Sequence, residues 1–174
     1  MTQLGGFQRN VNTAQQRLSL GDTVLASADA ILSRLEERII LARSEGSKDI
    51  SAIRVEVSQM RDELLGLANT RTSDGSALFG GYATDISPFV QDAAGRVQYH
   101  GDGGAHTLAA SETMRLPTSV NGAEVFMQVE TNDGIFSIFD IVDSFDAALA
   151  TETSTQAKLS SETNTLSLSF SGDR

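Results

Sequence analysis

The sequence contains no cysteine, which excludes disulfide bonds, thiolate nucleophiles, iron–sulfur clusters and thiolate zinc sites. Positive charge is also scarce, because 13 Lys and Arg residues face 23 Asp and Glu residues for a net charge of −10. This balance argues against nucleic acid and anionic membranes as partners. No apolar run approaches the roughly 18 residues of a membrane span, and the first residues, MTQLGGFQRN, lack the apolar core of a signal peptide. If the protein leaves the cytoplasm, we expect another export route.

Motifs of enzyme chemistry are missing as well. The sequence has no G-x-S-x-G elbow, no phosphate-binding G-x-x-x-x-G-K-[ST] loop, no H-E-x-x-H and no EF-hand pattern. The two histidines, His100 and His106, flank a glycine-rich stretch at 101–104 that we interpret as a turn between strands, since no second set of metal ligands accompanies it. Glu36 and Glu37 occupy adjacent helical positions that point apart. We therefore expect no catalytic residue, no metal site and no cofactor.

The 174 residues suffice for one domain or a small pair, and the 40% of hydrophobic residues can form a core. Up to Thr72, nine basic and nine acidic residues cancel, whereas from Ser73 onward four basic residues face fourteen acidic ones. The charge pattern thus divides the chain near residue 72.

The first region, 1–72, has the period of two long helices. In the first helix, apolar positions recur in steps of three and four, which predicts a rod-like helix with Gly21 as its one weak position. This row comprises Leu4, Phe7, Val11, Ala14, Leu18, Gly21, Leu25, Ala28, Leu32, Leu35, Ile39 and Ala42. Gly46, followed by Ser47 or Asp49 as an N-cap, predicts a short connection to an antiparallel second helix. The apolar row of the second helix comprises Ile50, Ile53, Val57, Met60, Leu64 and Leu67.

The second helix is about half as long as the first and can cover only the part from Leu25 to Ala42. The row from Leu4 to Gly21 is left without a partner, although burying each of its large side chains would contribute about 1.5–3 kcal/mol. We expect another helix of the same protein or a neighbouring subunit to cover it. The alternative is that the long helix simply lies on the protein's own sheet.

The second region is predicted to be rich in β-hairpins over 73–134, with short strands at 96–99, 107–109, 114–116 and 125–129 and a tight turn at Asn121–Gly122. A third helix is predicted over 135–150, with its aspartates in solvent. The Ser/Thr-rich remainder, 151–174, reads as the start of an outer domain or a linker, in which Leu166, Leu168 and Phe170 alternate like a strand and the chain stops as if inside a larger protein. The fold class is α+β. One face of the third helix comprises Ile135, Ile138, Val142, Phe145 and Leu149, and its aspartates are Asp140, Asp143 and Asp146.

At the boundary of the two regions, the segment 67–90, LANTRTSDGSALFGGYATDISPFV, resembles a signature of the bacterial flagellin superfamily. The later segments YHGDGG at 99–104, VNGAEVF at 120–126 and IFDIVD at 138–143 are similar to further motifs of that family, in the same order. The residues that carry the resemblance are Asn69, Arg71, Gly75, Phe79, Gly80, Gly81, Pro88, Phe89, Tyr99, Gly101 and Asp102.

The resemblance implies the rod domain of a flagellin-like protein, in which a returning helix from elsewhere in the chain would cover the row from Leu4 to Gly21. It implies a structural subunit of the extracellular flagellum, exported through the flagellar type III apparatus, that joins hook to filament. The alternative within the family is flagellin, the main filament subunit. A third hypothesis is a surface enzyme or adhesin carried by an outer domain beyond Arg174. The implied partners are copies of itself, a neighbouring hook-associated protein, flagellin and an export chaperone.

Overall fold

The computed structural model describes residues 3–44, 50–131 and 134–152. Helix α1 spans Gln3–Ser44, helix α2 spans Ile50–Ala68, and helix α3 occupies 138–152. This confirms the predicted α+β class, with a long helical hairpin, small β-hairpins and a third helix. Three antiparallel hairpins, β1–β2, β3–β4 and β5–β6, are formed by Phe89–Gln91, Val97–Tyr99, Thr107–Ala109, Arg115–Pro117, Val129–Thr131 and Gly134–Phe136.

Helices α1 and α2 run antiparallel, as two ion pairs across their contact show. Arg34 pairs with Glu63 at 3.5 Å, and further along α1 Arg38 pairs with Glu56 at 2.6 Å. These side chains are 35–56% exposed, so solvent screens both pairs and they contribute little to stability. The apolar contact between the helices is the main source of their association.

The buried row of α1 is shifted from the predicted one over part of its length. Ala28 and Leu35 are buried as expected, but Val24 and Ile31 are buried while Leu25 and Leu32 lie half-exposed at the margin of the core. Apolar residues flank the central row on both sides, so the sequence period alone could not decide which flank faces α2. The packing partner makes that choice.

Helix α2 is buried along its predicted row except at the last member, Leu67. Leu67 is half-buried against the core, and Ala68 is completely buried beside it. The other members of the row, all at most 6% exposed, are Ile50, Ile53, Val57, Met60 and Leu64.

Helix α3 lies antiparallel along α2, because Arg54 donates two hydrogen bonds to Asp146 and Arg61 donates two to Asp143. These two aspartates, which we expected in solvent, remain 39% (Asp143) and 36% (Asp146) exposed but are also paired with arginines. Their guanidinium partners project from α2, and the sequence period of α3 alone does not reveal that. Asp140 is exposed as predicted.

The start of α3 also differs from the prediction. Ile135 belongs to strand β6 and is 63% exposed, and the helix begins only at residue 138. Ser137 explains the later start, because its Oγ accepts a hydrogen bond from the Asp140 N–H at 3.0 Å and so caps the helix.

The predicted turn at Asn121–Gly122 and the strand over 125–129 were wrong. Asn121 and Gly122 instead precede a π-helical segment, Ala123–Met127, with Gly122 at its N-cap. The Asn121 Oδ1 accepts a hydrogen bond from the Ala123 N–H at 3.0 Å. Only Val129–Thr131 forms a strand there. The helical turn places Phe126 in the core, where it is 1% exposed, and this burial outweighs the β propensity of the segment.

The three remaining predicted strands are confirmed to within a residue as β2, β3 and β4. The helix stop around Gly46 and the alternating strand at Leu166, Leu168 and Phe170 lie outside the described residues. Within the described ranges, none of the helices combines the length and the apolarity that crossing a membrane requires.

We expect Val57→Ala to lower the free energy of unfolding by about 1.5–3 kcal/mol, because Val57 is 1% exposed and its truncation leaves a cavity between the helices. Val55 provides a matched control on the same helix, since it is 58% exposed and Val55→Ala should change stability by less than about 0.5 kcal/mol. Urea unfolding of both variants measures the difference. Equal losses would contradict the assigned face of α2.

Candidate functional site

Four phenylalanines join the helices to the β-hairpin region. The Phe79 and Phe126 rings meet edge to face at 5.2 Å, Phe89 and Phe126 at 5.3 Å, and Phe89 lies 6.1 Å from Phe139 of α3. All four side chains are at most 2% exposed. Aromatic pairs of this kind favour particular ring orientations and stabilise the core beyond the burial of their apolar area. Two of the four, Phe126 and Phe139, were not among the predicted site residues, although both lie within segments that resemble family motifs.

Asn69 connects the end of α2 to strand β1. Its Nδ2 donates to the carbonyl groups of Leu65 at 3.1 Å and Phe89 at 2.8 Å, and its Oδ1 accepts from the Phe89 N–H at 3.0 Å. The side-chain amide thus pairs with the Phe89 backbone as a neighbouring strand would. This role needs a donor and an acceptor on one short side chain, which asparagine supplies.

Arg71 organises the loop that follows α2. Its guanidinium donates to the carbonyl oxygens of Gly75 at 2.7 Å and Ile86 at 3.1 Å. Gly75 has a φ of 83°, a conformation that glycine adopts without strain. In the same loop, the hydroxyl groups of Thr72 and Ser76 donate to Asp74 and lower its pKa to about 2.

The glycine-rich stretch 101–104 connects β2 to β3, as predicted. It is hydrogen-bonded to the loop at 79–82, and we call this contact between the two segments the interlock. The Asp102 Oδ1 accepts hydrogen bonds from the N–H groups of Tyr82 and Gly104, both at 2.8 Å. These two bonds hold the pKa of Asp102 below its usual range. Among the described residues, no cluster of His, Asp and Glu could hold a metal ion.

Close backbone approach explains the glycines of this interlock. Gly81 has a φ of 68°, and a Cβ there would overlap Asp102. A Cβ on Gly80 would lie 2.5 Å from the carbonyl oxygen of Ala83, and one on Gly101 would overlap the ring of Tyr99.

Tyr99 and Pro88 attach the interlock to the aromatic core. The Tyr99 hydroxyl donates to the Phe79 carbonyl at 2.9 Å, and burial raises the pKa of Tyr99. Pro88 is buried, and its carbonyl oxygen accepts from the His100 N–H at 2.7 Å. The motif residues are thus brought together into one scaffold, in which their polar groups are directed at the protein's own backbone.

The N-terminal half of α1 is only partly covered. Strand pair β3–β4 lies along one side of it, where the Asn10 side chain donates to the Ala109 carbonyl at 2.8 Å. On the side of α1 that faces β3–β4, the helix therefore lies on the protein's own β-structure, which was the alternative prediction. On the remaining surface Leu4 is 78% exposed and Leu18 is 36% exposed, and Phe7 and Val11 are half-buried. Leu4, Phe7 and Val11 line an open groove of about 490 Å³ beside the β3–β4 turn.

Comparison with known proteins matches residues 1–84 to the bacterial flagellin N-terminal helical region. Flagellar hook-associated protein 3 of Salmonella typhimurium is 27% identical over 148 residues, and that of Escherichia coli is 31% identical over 153 residues. The resemblance to the bacterial flagellin superfamily is confirmed. Each match covers 79% of this chain and 46% of the relative, so the chain spans about half the length of these curated flagellin-like relatives.

A solved structure extends the similarity to the fold. The crystal structure of the flagellar junction protein FlgL from Legionella pneumophila matches with a TM-score of 0.67 and 30% identity, over 74% of this chain and 41% of that one. The relatives of this chain are therefore structural proteins of the flagellum.

We expect Asp102→Asn to destabilise the protein more at pH 7 than at pH 2.5. The pKa of Asp102 in the folded protein lies below its ordinary value, so the contribution of its charge to stability is complete above that ordinary value and is lost as the pH falls through the folded pKa. Asn keeps the oxygen acceptor and loses only the charge. Thermal unfolding at both pH values measures the effect, with Asp85→Asn at an exposed position as the control. A difference from wild type that stays constant with pH would contradict the charge-assisted interlock.

Proposed function

We propose that this chain is part of a structural subunit of the bacterial flagellum that joins hook to filament. The observation that carries the proposal is the similarity of sequence and fold to a flagellar junction protein, together with the two curated hook-associated relatives. The motif residues form a scaffold, and the proposed role requires no catalysis. The subunit would work outside the cell, after export through the flagellar type III apparatus with a chaperone.

The proposed mechanism is packing between helices of neighbouring subunits. Exposed leucines on the N-terminal half of α1 leave apolar area that a further helix can bury. This helix would come from the remainder of the whole protein or from a neighbour. Copies of the chain, a hook-associated protein and flagellin are the proposed neighbours.

Flagellin itself is the second candidate, because the match over residues 1–84 is to the helical region of flagellins. Deleting the gene in its native bacterium separates the two roles. For a junction protein we expect bare hooks in electron micrographs and flagellin accumulating in the medium, since the filament has lost its attachment. Bare hooks without any other major flagellin in the medium would instead identify the filament subunit, and normal filaments would exclude both roles.

We expect the double variant Leu4→Asp, Leu18→Asp to fold normally and to fail in assembly when it is introduced into the whole protein. Leu4 is 78% and Leu18 36% exposed, so the charges can reach solvent in the monomer but oppose burial at a contact between helices. Ile40→Asp is the control, because Ile40 is 67% exposed on the same helix outside the predicted row. Motility and filament counts measure assembly, and normal filaments from the double variant would exclude this face as an assembly surface.

A further inference from the structure

Helix α1 carries a second apolar column beside the row that packs on α2. Residues spaced by seven lie almost on one line along a helix, and such columns form the seams along which helices pair. Leu4 is 78% exposed, Leu18 is 36% exposed, and the other members are half-buried, so the column keeps apolar area in contact with solvent. We call it the heptad column, and it comprises Leu4, Val11, Leu18, Leu25, Leu32 and Ile39.

Acidic residues flank the heptad column at the same interval of seven. Asp22, Asp29 and Glu36 each follow a leucine of the column by four residues, which places each carboxylate beside that leucine on the helix surface. All three side chains are exposed, and within the part of the chain that the structure describes none of them forms an ion pair. The column therefore has an unpaired row of negative charge along one edge.

The arginines of α1 are used differently from these acids. Arg34 and Arg38 pair with Glu63 and Glu56 of α2, and Arg17 donates to a backbone carbonyl. The positive charge of α1 is thus directed largely at the protein itself, whereas the negative charge beside the heptad column faces solvent.

A second copy of the chain does not supply the complementary charge. Two α1 helices paired antiparallel along the heptad column would bring their acidic edges together, and like charges repel. The arginines of α2, Arg54 and Arg61, already bind Asp146 and Asp143 of α3. Helix α3 itself has no basic residue between positions 138 and 152.

We propose that the heptad column is a docking face for an amphipathic helix of a neighbouring protein that is not a copy of this chain. That helix carries lysine or arginine at intervals of seven beside its own apolar row. The apolar side chains supply the burial, and the charges fix the register and discriminate between partners. The inference rests on the proposed role in helix packing and adds the chemistry of the partner.

Binding of three labelled helical peptides to this chain tests the proposal by fluorescence anisotropy. The peptides share one apolar heptad row and differ only in the flanking residues, which are lysine, glutamine or glutamate. We expect the lysine peptide to bind about eightfold more tightly than the glutamine peptide, since three exposed ion pairs contribute about twofold each. The glutamate peptide should bind most weakly, and added salt should reduce the differences.

Charge reversal on α1 tests the sign of the interaction. The triple variant Asp22→Lys, Asp29→Lys, Glu36→Lys should bind the glutamate peptide best. Because the three positions are exposed, we expect an unchanged circular dichroism spectrum. The matched control reverses three exposed acids elsewhere, reaches the same net charge and should keep the lysine preference; it combines Glu37→Lys, Asp85→Lys and Glu130→Lys.

Several results would overturn the proposal. The first group comprises no saturable binding, equal affinities for the three peptides, and a lysine preference that the triple reversal leaves intact. Self-association of the chain that Leu18→Asp abolishes would give the column to a second copy. A lysine peptide that binds this chain but not the whole protein would show that the protein's own remainder covers the column.

The peptide experiment and the gene deletion described above fail independently of each other. Bare hooks together with equal peptide affinities would keep the flagellar role and remove the docking face. Normal filaments together with a lysine preference that the triple reversal inverts would keep the docking face and remove the flagellar role.

Discussion

The burial of α2 is the constraint on which the rest of the structure depends. Leu64 and Ala68 have no exposed surface, because α1, α3 and the aromatic cluster all pack into the same core. Burial of each large side chain in this row contributes about 1.5–3 kcal/mol. The end of α2 is thereby fixed in space, and Asn69, the next residue, is held where its amide can pair with Phe89. The β-hairpin region is thus positioned by a helix to which it is joined by only a few residues.

The same constraint leaves α1 unevenly covered. With 19 residues against 42, α2 can protect only one end of the longer helix, and β3–β4 covers just one side of the other end. Leu4 and Leu18 remain exposed for this geometrical reason, whereas a monomer selected for solubility alone would carry polar residues there. The apolar row of α1 extends beyond the helix that covers it, and such an exposed row can pack against a further helix. This agrees with the structural role of the relatives.

Local patterns in the sequence predicted the helices and strands β2 to β4 but not β1 or β6, and non-local packing decided what the patterns left open. The period of three and four residues located both long helices. On α1, however, two apolar rows lie side by side, so the sequence could not show whether Val24 or Leu25 would be buried; packing against α2 buries Val24. Asn121–Gly122 has the composition of a hairpin turn, but the residues after it form a helical turn, because that conformation buries Phe126 in the aromatic core. The motif resemblance found the scaffold residues around Asn69 and Asp102. Arg17 was not among them, because the carbonyl group to which it donates belongs to Thr118, 101 residues away in the sequence.

The polar groups of the motif residues serve the protein's own backbone, and this explains how a region with so little regular structure keeps its shape. Asn69 and Arg71 use their donors on carbonyl groups, while Asp102 accepts from two N–H groups. Arg17 reaches the same region from α1, where its Nε donates a hydrogen bond to the Thr118 carbonyl at 3.1 Å. The hydroxyl groups of Thr72 and Ser76 hold the Asp74 carboxylate within the loop after α2, and Arg17 of α1 lies 4.0 Å from the same carboxylate, so the loop is linked both to itself and to α1.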